Sequence, residues 1–388
     1  MKNSAFLIFF SIVLLLYGLI NYYLFKRGWQ ALTFTPEYRH SFLILFLILV
    51  LAYPLGRLAE RLYCCGFTQG IVFVGSLYLA FMVYAFFMVL IIDFLRLGNF
   101  LLGIFPSFIR ENPGKTKFWI FLFTLFITAG TVLVGHINAL HPRIKTYEIT
   151  VNKTANQIKQ LKIVLASDIH LGTIIRNSRL LKIVNKINSL HPDLVLLPGD
   201  VVDEDIAPVA NQNMAVSLQK IQSKYGTFAI TGNHEYFGGV DRAVRYIEES
   251  GITVLQDSVI KIAESFYLIG RKDLMAERME SGREPLNNLV ENLDYRLPKI
   301  LMDHQPFHLE QAQKNGIDLQ ISGHTHHGQL FPFNLITKKI YELSAGYLKK
   351  GNTHYYVSCG VGTWGPPVRI GNSPEIVQIT VHFESETP

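Results

Sequence analysis

The pattern of apolar positions changes character part-way along the chain. In the first 140 residues apolar positions run on for whole helical lengths; beyond them, short apolar runs alternate with mixed segments. Four long runs stand out, at residues 5–25, 41–58, 71–92 and 118–137. Each is close to the roughly 20 residues a helix needs to cross about 30 Å of hydrocarbon. The second is the weakest, because Pro54 interrupts it. A cleaved signal peptide would account for one such run, not four. The pattern predicts an all-α transmembrane region over residues 1–140.

From about residue 145 the periodicity is different. Short apolar runs at 161–167, 193–200, 227–233, 299–304 and 318–324 predict buried strands. Leu180, Val184 and Ile187 fall at i, i+4 and i+7, the mark of an amphipathic helix. Met214, Leu218 and Ile221 repeat that spacing before the third strand, and Val240, Val244 and Ile247 repeat it afterwards. Strand and helix alternating at roughly 30-residue steps predicts βαβ units with helices packed on a sheet. The last part of the chain, rich in Tyr, Val and Gly turns, predicts several strands with tight connections. Residues 141–160 read as a connector or first strand, and residues 161–388 as one α/β domain.

Composition alters this picture little. The formal charge of +6 and the pI near 9.0 raise the question of nucleic acid. No basic run or RNA-type aromatic motif accompanies them, so nucleic-acid binding is not expected. Lys and Arg flanking membrane spans explain the excess. The three cysteines, Cys64, Cys65 and Cys359, form no CxxC and no disulfide framework. The spans contain almost no ionisable side chains, so transport finds no support; Asp93, at the end of the third, reads as interfacial.

The loops after the first and third spans carry seven basic residues: Lys26, Arg27, Arg39, Arg96, Arg110, Lys115 and Lys117. The N-terminus and middle loop carry three: Lys2, Arg57 and Arg61. Positive-inside reasoning then puts the C-terminal domain on the non-cytoplasmic face. Arg143, Lys145, Lys153 and Lys159 follow the last span and pull the other way.

Chemistry gathers where the apolar runs end. "SDIHLG" presents Asp168 and His170, "GDVVDE" presents Asp200 and Asp203, and "GNHEY" presents Asn233 and His234. Two later runs end in His304 and in "GHTHHG", with His324, His326 and His327. Loops at the carboxyl ends of strands in an open α/β sheet converge on one crevice. Carboxylate, carboxamide and imidazole together suit two divalent transition ions. Residues i and i+2 of an extended segment point to one side, so both members of "DIH" and of "HTH" can face one centre, with His327 pointing away. Each piece alone has a bland reading, such as a satisfied buried His, an Asp in a turn or an Asn cap. Five pieces in this order, each at a strand end, do not.

The set resembles the calcineurin-like metallophosphoesterase superfamily, whose pattern is DxH, GDxxD, GNH, a lone His and GHxH. All five are present, and the resemblance covers about residues 160 to 385, extending to a membrane-anchored branch through the tail "VSCGVGTWGPPVRIGNSPEIVQITV". It implies a four-layer α/β/β/α sandwich and two divalent metal ions (Mn, Fe or Zn). By position, Asp168, His170 and His326 would bind one ion. Asn233, His304 and His324 would bind the other, and Asp200 would bridge them. His234 would serve the leaving group as acid or donor, oriented by Asp203. In one respect the chain departs: phosphoprotein phosphatases carry Arg directly after the second Asp of GDxxD, and here Glu204 stands there. Loss of a bidentate Arg clamp weakens a phosphoprotein-phosphatase reading and favours diesters. Trp364 could line the substrate mouth or simply pack, and Arg369 could meet a substrate anion or pair with a carboxylate.

The expected protein is therefore a membrane-bound phosphoesterase in which hydroxide, activated by two metals, attacks a phosphodiester or lipid-linked phosphate. Its expected partners are the bilayer and a phosphoester substrate, amphiphilic if the anchoring has a purpose. The alternative is a non-catalytic membrane scaffold that keeps the fold.

Overall fold

The structure, a computed structural model, describes residues 2–279 and 282–384; of residues 2–7, 9, 10 and 108 it describes the backbone alone. The chain divides into two compact units, Met1–Gly135 and His136–Pro388.

The first unit is helical: α1 (Lys2–Ala31), α2 (Arg39–Leu62), α3 (Gly66–Leu102), a short α4 (Ser107–Glu111) and α5 (Pro113–Ala139). Among the described residues, three helical segments are long and apolar enough to cross a membrane: Pro36–Leu62, Gly66–Leu102 and Pro113–Ala139. They contain the expected spans 41–58, 71–92 and 118–137. The expected span 5–25 falls within α1, but several of its first side chains lie outside the described residues. Pro54 does not end α2, which runs through it. Bilayer-spanning helices gain little from apolar contact alone and rely on close packing at small residues. Here a Cβ on Gly75 would overlap the backbone of Tyr53, and one on Gly56 would press on Val72, so glycine lets α2 and α3 meet closely. The protein is a multi-pass membrane protein.

The second unit holds two six-stranded sheets. The first, in the order β1-β12-β2-β3-β4-β5, contains β1 (Arg143–Val151), β2 (Gln160–Leu165), β3 (Leu194–Pro198), β4 (Thr227–Ile230), β5 (Thr253–Val254) and β12 (Glu375–Phe383). The second, in the order β10-β11-β9-β8-β7-β6, contains β6 (Ser258–Ile262), β7 (Phe266–Gly270), β8 (Lys299–Met302), β9 (Leu319–Ser322), β10 (Gly346–Lys350) and β11 (Thr353–Val357). Strands β2 to β5 pair in parallel, as do β7, β8, β9 and β11.

Strand alternation explains the layers. Leu194 and Leu196 of β3 join Ile300, Met302 and Ile321 of the other sheet in a core between the two. Val195 and Leu197 point the opposite way, onto Leu180, Val184 and Ile187 of α6 (Asn177–Asn188) and Ile247 of the last helix before β5. Strands buried on both faces read as unbroken apolar runs, which "LVLLP" is. Behind the second sheet, Ile269, Leu301 and Tyr355 pack on Leu286, Val290 and Leu309. The result is the expected four-layer α/β/β/α sandwich. One helix differs from expectation. Met214, Leu218 and Ile221 do not share a continuous helix. The segment breaks into α7 (Ala207–Asn211) and α8 (Ala215–Leu218), with Asn213 left-handed between them at φ 50°. Met214 and Leu218 are still buried. Helices α9 (Asn233–Gly238) and α10 (Val240–Glu249) follow β4, and α10 turns Val244 and Ile247 inward as the spacing required.

β1 pairs in parallel with β12 along its whole length, and Ile149 and Val151 enter the inter-sheet core. Each buried aliphatic side chain stabilises by roughly 1.5–3 kcal/mol. A fragment of residues 141–388 should therefore be more stable than one of residues 152–388 by at least about 3 kcal/mol. Denaturant unfolding of the two fragments measures the difference.

Candidate metal centre

Five loops at the carboxyl ends of parallel strands build the site. Asp168 and His170 follow β2, Asp200 and Asp203 follow β3, and Asn233 and His234 open α9 after β4. His304 follows β8, and His324 and His326 follow β9. The two sheets thus deliver their loops to one edge of the sandwich.

Local backbone is not what alternation along an extended segment would give. Asp168, His170, Asp200, His324 and His326 all adopt left-handed φ, between 45° and 70°. Asp168/His170 and His324/His326 still converge, but through tight left-handed turns rather than a strand pleat. Non-glycine residues seldom sit there, and they do so mainly where surrounding contacts over-determine them. Those contacts are visible. One oxygen of each carboxylate ties two loops together: Asp168 Oδ1 accepts the His324 N–H (2.8 Å), and Asp200 Oδ1 accepts the His234 N–H (2.9 Å). The motif glycines make room for this. A Cβ on Gly232 would overlap the Asp200 carboxylate, and one on Gly323 would overlap Ser167 and Asp168.

The remaining donors fall into neighbouring groups. Asp168, His170 and His326 form one; Asp200, His304 and His324 form another. Asn233 Oδ1 joins the second, 2.8 Å from His324 Nδ1 and 3.3 Å from His304 Nε2. Asp200 stands between them. Its Oδ2 lies 3.2 Å from His304 Nε2 and 3.8 Å from His170 Nε2. His304 Nδ1 is 2.8 Å from the Pro198 carbonyl, to which it donates, so Nε2 is the ring nitrogen that faces inward, where, against burial, the Asp200 charge favours its proton until a cation replaces it. A third group, His170, Asp203 and His234, adjoins the first, with His234 Nδ1 2.9 Å from Asp203 Oδ1. His327 turns away to the Ser344 hydroxyl, 3.0 Å from its Nδ1.

Electrostatics divides these imidazoles. Burial, then the His304 charge, pushes His324 down to about 3. Burial, then His170 and Arg369, holds His326 well below its ordinary value. Both offer lone pairs rather than protons. For His234 burial opposes the charged form, but Asp200 and the Asp203 hydrogen bond outweigh it and raise the group to about 9. In Asp200, burial is outweighed by His304 and His234, and the carboxyl stays well below the usual range.

Two divalent cations fit this donor set. Asp168 Oδ2 is buried without a hydrogen-bond partner, and such an orphan is uncommon in a finished protein. The Nε2 atoms of His170 and His326 approach to 3.0 Å, close enough for one cation to take both as ligands.

Comparison with known proteins decides the family. Residues 161–328 match the family described as Calcineurin-like phosphoesterase. An uncharacterized metallophosphoesterase of Campylobacter jejuni is 30% identical over 96% of this chain and 97% of its own. The chain belongs to the calcineurin-like metallophosphoesterases. A Helicobacter pylori metallophosphoesterase, also uncharacterized, is 29% identical over 96% of this chain and 98% of its own. A "transmembrane protein with metallophosphoesterase domain" from Danio rerio is 33% identical over 66% of this chain, which spans 61% of that protein.

This metallophosphoesterase is a metal-dependent hydrolase of phosphoester bonds. Two of its residues acquire a meaning that the sequence left open or missed. Among the described residues Arg369 forms no ion pair with a carboxylate: it is buried, donates to Gly362 O (3.1 Å from Nε), and sets Nη2 3.1 Å from His326 Nδ1. Glu235, overlooked in "GNHE", is the hub beneath the site. Its carboxylate accepts N–H groups from Gly232 (2.7 Å), Val202 (2.9 Å) and Asp200 (3.2 Å), so it holds the β3 and β4 loops together. Its position three residues into α9 was a readable signal, because a Glu there commonly caps the helix start. Glu235→Ala would strand three buried donors, each costing about 1–3 kcal/mol. A loss of at least about 3 kcal/mol in chemical denaturation is the expected result.

Proposed function

We propose that the protein hydrolyses a phosphodiester or lipid-linked phosphate at a dinuclear centre. Asp168, His170 and His326 hold one divalent cation; Asn233, His304 and His324 hold the other; Asp200 is shared. The observation that carries the reading is Asp200 itself. It stands between both donor groups and accepts from the backbone of the residue assigned to acid catalysis.

Bound there, the ions would supply Lewis-acid activation of the phosphoryl group and of the attacking water. The chain's own contribution is proton handling. His234 keeps a proton because Asp203 and Asp200 favour its charged form. Its Nδ1 is committed to Asp203 at 2.9 Å, which leaves Nε2 to donate to the leaving oxygen. Asp203 orients the ring and fixes its tautomer.

Glu204 supports a substrate of low charge. It adds to the negative field on His234 where an Arg would have clamped a dianion. Aromatic walls support an apolar moiety. The exposed rings of Trp364 and Phe237 lie edge-on to the His234 ring, at 5.9 Å and 5.5 Å. Multi-pass anchoring supports the same choice, since a single span already holds a domain to the bilayer. By the loop-charge argument the site faces the non-cytoplasmic side.

The deciding experiment is turnover by the purified full chain, with metals added back, on matched mono- and diesters with and without acyl chains. Faster hydrolysis of acylated diesters in liposomes is expected. Equal kcat/KM for matched acylated and unacylated esters would sink the amphiphile reading.

Asp200→Ala should abolish activity and lower metal content at both positions. His234→Ala should keep its metal and lose at least about tenfold in rate. Elemental analysis beside kinetics separates the two, and metal loss in His234→Ala as complete as in Asp200→Ala would refute the roles.

A pH profile tests the dyad. An acid works only while protonated, so the alkaline limb of kcat/KM follows the His234 pKa. Asp203 raises that pKa. Asp203→Asn should therefore move the alkaline limb to lower pH, and an unmoved limb would remove His234 from the acid role.

A further inference from the structure

Among the described residues of the second unit, large apolar side chains are mostly buried, but one ten-residue run is an exception. Phe331, Leu335, Ile336 and Ile340 are each about half exposed. The same run carries exposed Lys338 and Lys339 and no acidic residue. Its helix, Asn334–Ile340, has no buried side chain. Ile336 and Ile340, four apart, share a face. A short helix with only Asn334 and Thr337 half-buried has little of the tertiary packing that normally sustains one.

Its place in the fold suggests what covers it. The run begins five positions after His326, directly beyond the metal loop. The Phe331 N–H donates to Ile370 O (2.8 Å), and the Ile370 N–H donates to Gln329 O (3.0 Å). That partner strip is tied to the last turn of α5, which belongs to the same compact unit. Asn138 Nδ2 donates to Arg369 O (3.0 Å) and Asn372 O (2.7 Å), and the Ser373 hydroxyl donates to Asn138 Oδ1 (3.0 Å). α5 is a span-length apolar helix that ends at Ala139. The exposed apolar run is therefore held beside the point where the chain leaves the bilayer. Ile137 and Leu140, exposed at that exit, extend the apolar character.

We propose that residues 331–340 are an interfacial anchor. Phe331, Leu335, Ile336 and Ile340 enter the boundary between headgroups and acyl chains, and Lys338 and Lys339 meet anionic headgroups. The occupant is a lipid surface, because an exposed apolar surface interleaved with lysines is the composition of helices that lie in that plane. Since the run continues directly from His324 and His326, its insertion holds the metal loop at the headgroup level. This deepens the amphiphile reading and rests on it only for its catalytic consequence.

The test uses the full chain in liposomes, with Cys64 and Cys65 replaced by Ser and buried Cys359 left in place. Ile336→Cys, labelled with an environment-sensitive fluorophore, should emit as from an apolar medium and be quenched by lipids carrying an acyl-chain nitroxide. The effect should be stronger in vesicles containing phosphatidylglycerol than in phosphatidylcholine alone. Emission as from water, or an apolar signal that fades as protein is diluted in lipid, would overturn the anchor, the latter in favour of a second copy. A Leu335→Glu/Ile336→Glu variant should lose about tenfold on a bilayer-resident diester and keep its turnover of bis(4-nitrophenyl) phosphate. Equal loss on both would make the run merely structural and overturn the proposal. The fluorescence does not depend on turnover. A wild-type chain that hydrolyses neither ester would count against the substrate reading, while fluorescence still decides the anchor.

Discussion

A carboxylate that is 2% exposed is a liability unless its charge is used, and Asp200 is used on every side. One oxygen accepts the His234 N–H; the other faces His304 and His170; its own N–H donates to Glu235. Burying an ion costs several kcal/mol unless partners compensate. The architecture around Asp200 can be understood as that compensation. Loops from both sheets must reach it, so the sheets must lie face to face with their strand ends aligned. Glycine must occupy position 232, because any side chain there would displace the carboxylate. Glu235 must sit beneath it, although burial and the Asp200 charge push that carboxyl upward in pKa, because three backbone N–H groups need an acceptor.

Much of this was legible before any coordinates. The apolar runs that end in Asp, Asn or His are β2, β3, β4, β8 and β9, and their periods placed α6 and α10 correctly. A run apolar at every position announces a strand covered on both faces, which requires four layers. What stayed hidden has physical causes. Left-handed φ at Asp168 or His324 is imposed by contacts from loops distant in sequence, so no local pattern encodes it. The break between α7 and α8 leaves Met214 and Leu218 buried, so helical spacing alone could not reveal it. The role of Arg369 depends on the fold of the tail, which carries its guanidinium behind His326. A charged residue near anionic groups in sequence is easily taken for a substrate contact when it in fact braces an imidazole.

The two ends of the metal loop obey different constraints. Before Gly328, His324 and His326 face the buried centre, and His326 is set between His170 and Arg369. From Phe331 onward large apolar side chains are half exposed, and the loop passes from a polar interior to an apolar exterior within five residues. That change needs a rigid pivot, which the paired strip of residues 329–331 and 370 supplies.

Charge balance bears on what can bind. Asp168, Asp200, Asp203, Glu204 and Glu235 stand in or beside the site, and the first three are within reach of its imidazoles. Two divalent cations would offset much of that negative charge, and burial with the Asp200 charge already favours the uncharged form of Glu235. Glu204 occupies the position from which an Arg would have provided a local positive surplus for a dianion. A monoanionic diester does not need that surplus. It needs one oxygen polarised, a proton for the leaving group, and walls for whatever the phosphate joins. In the proposed reading the first would fall to the shared centre, the second to His234 with Asp203, and the third to the exposed rings of Trp364 and Phe237. In the proposed reading the missing Arg and the apolar rim point to one class of substrate by separate arguments.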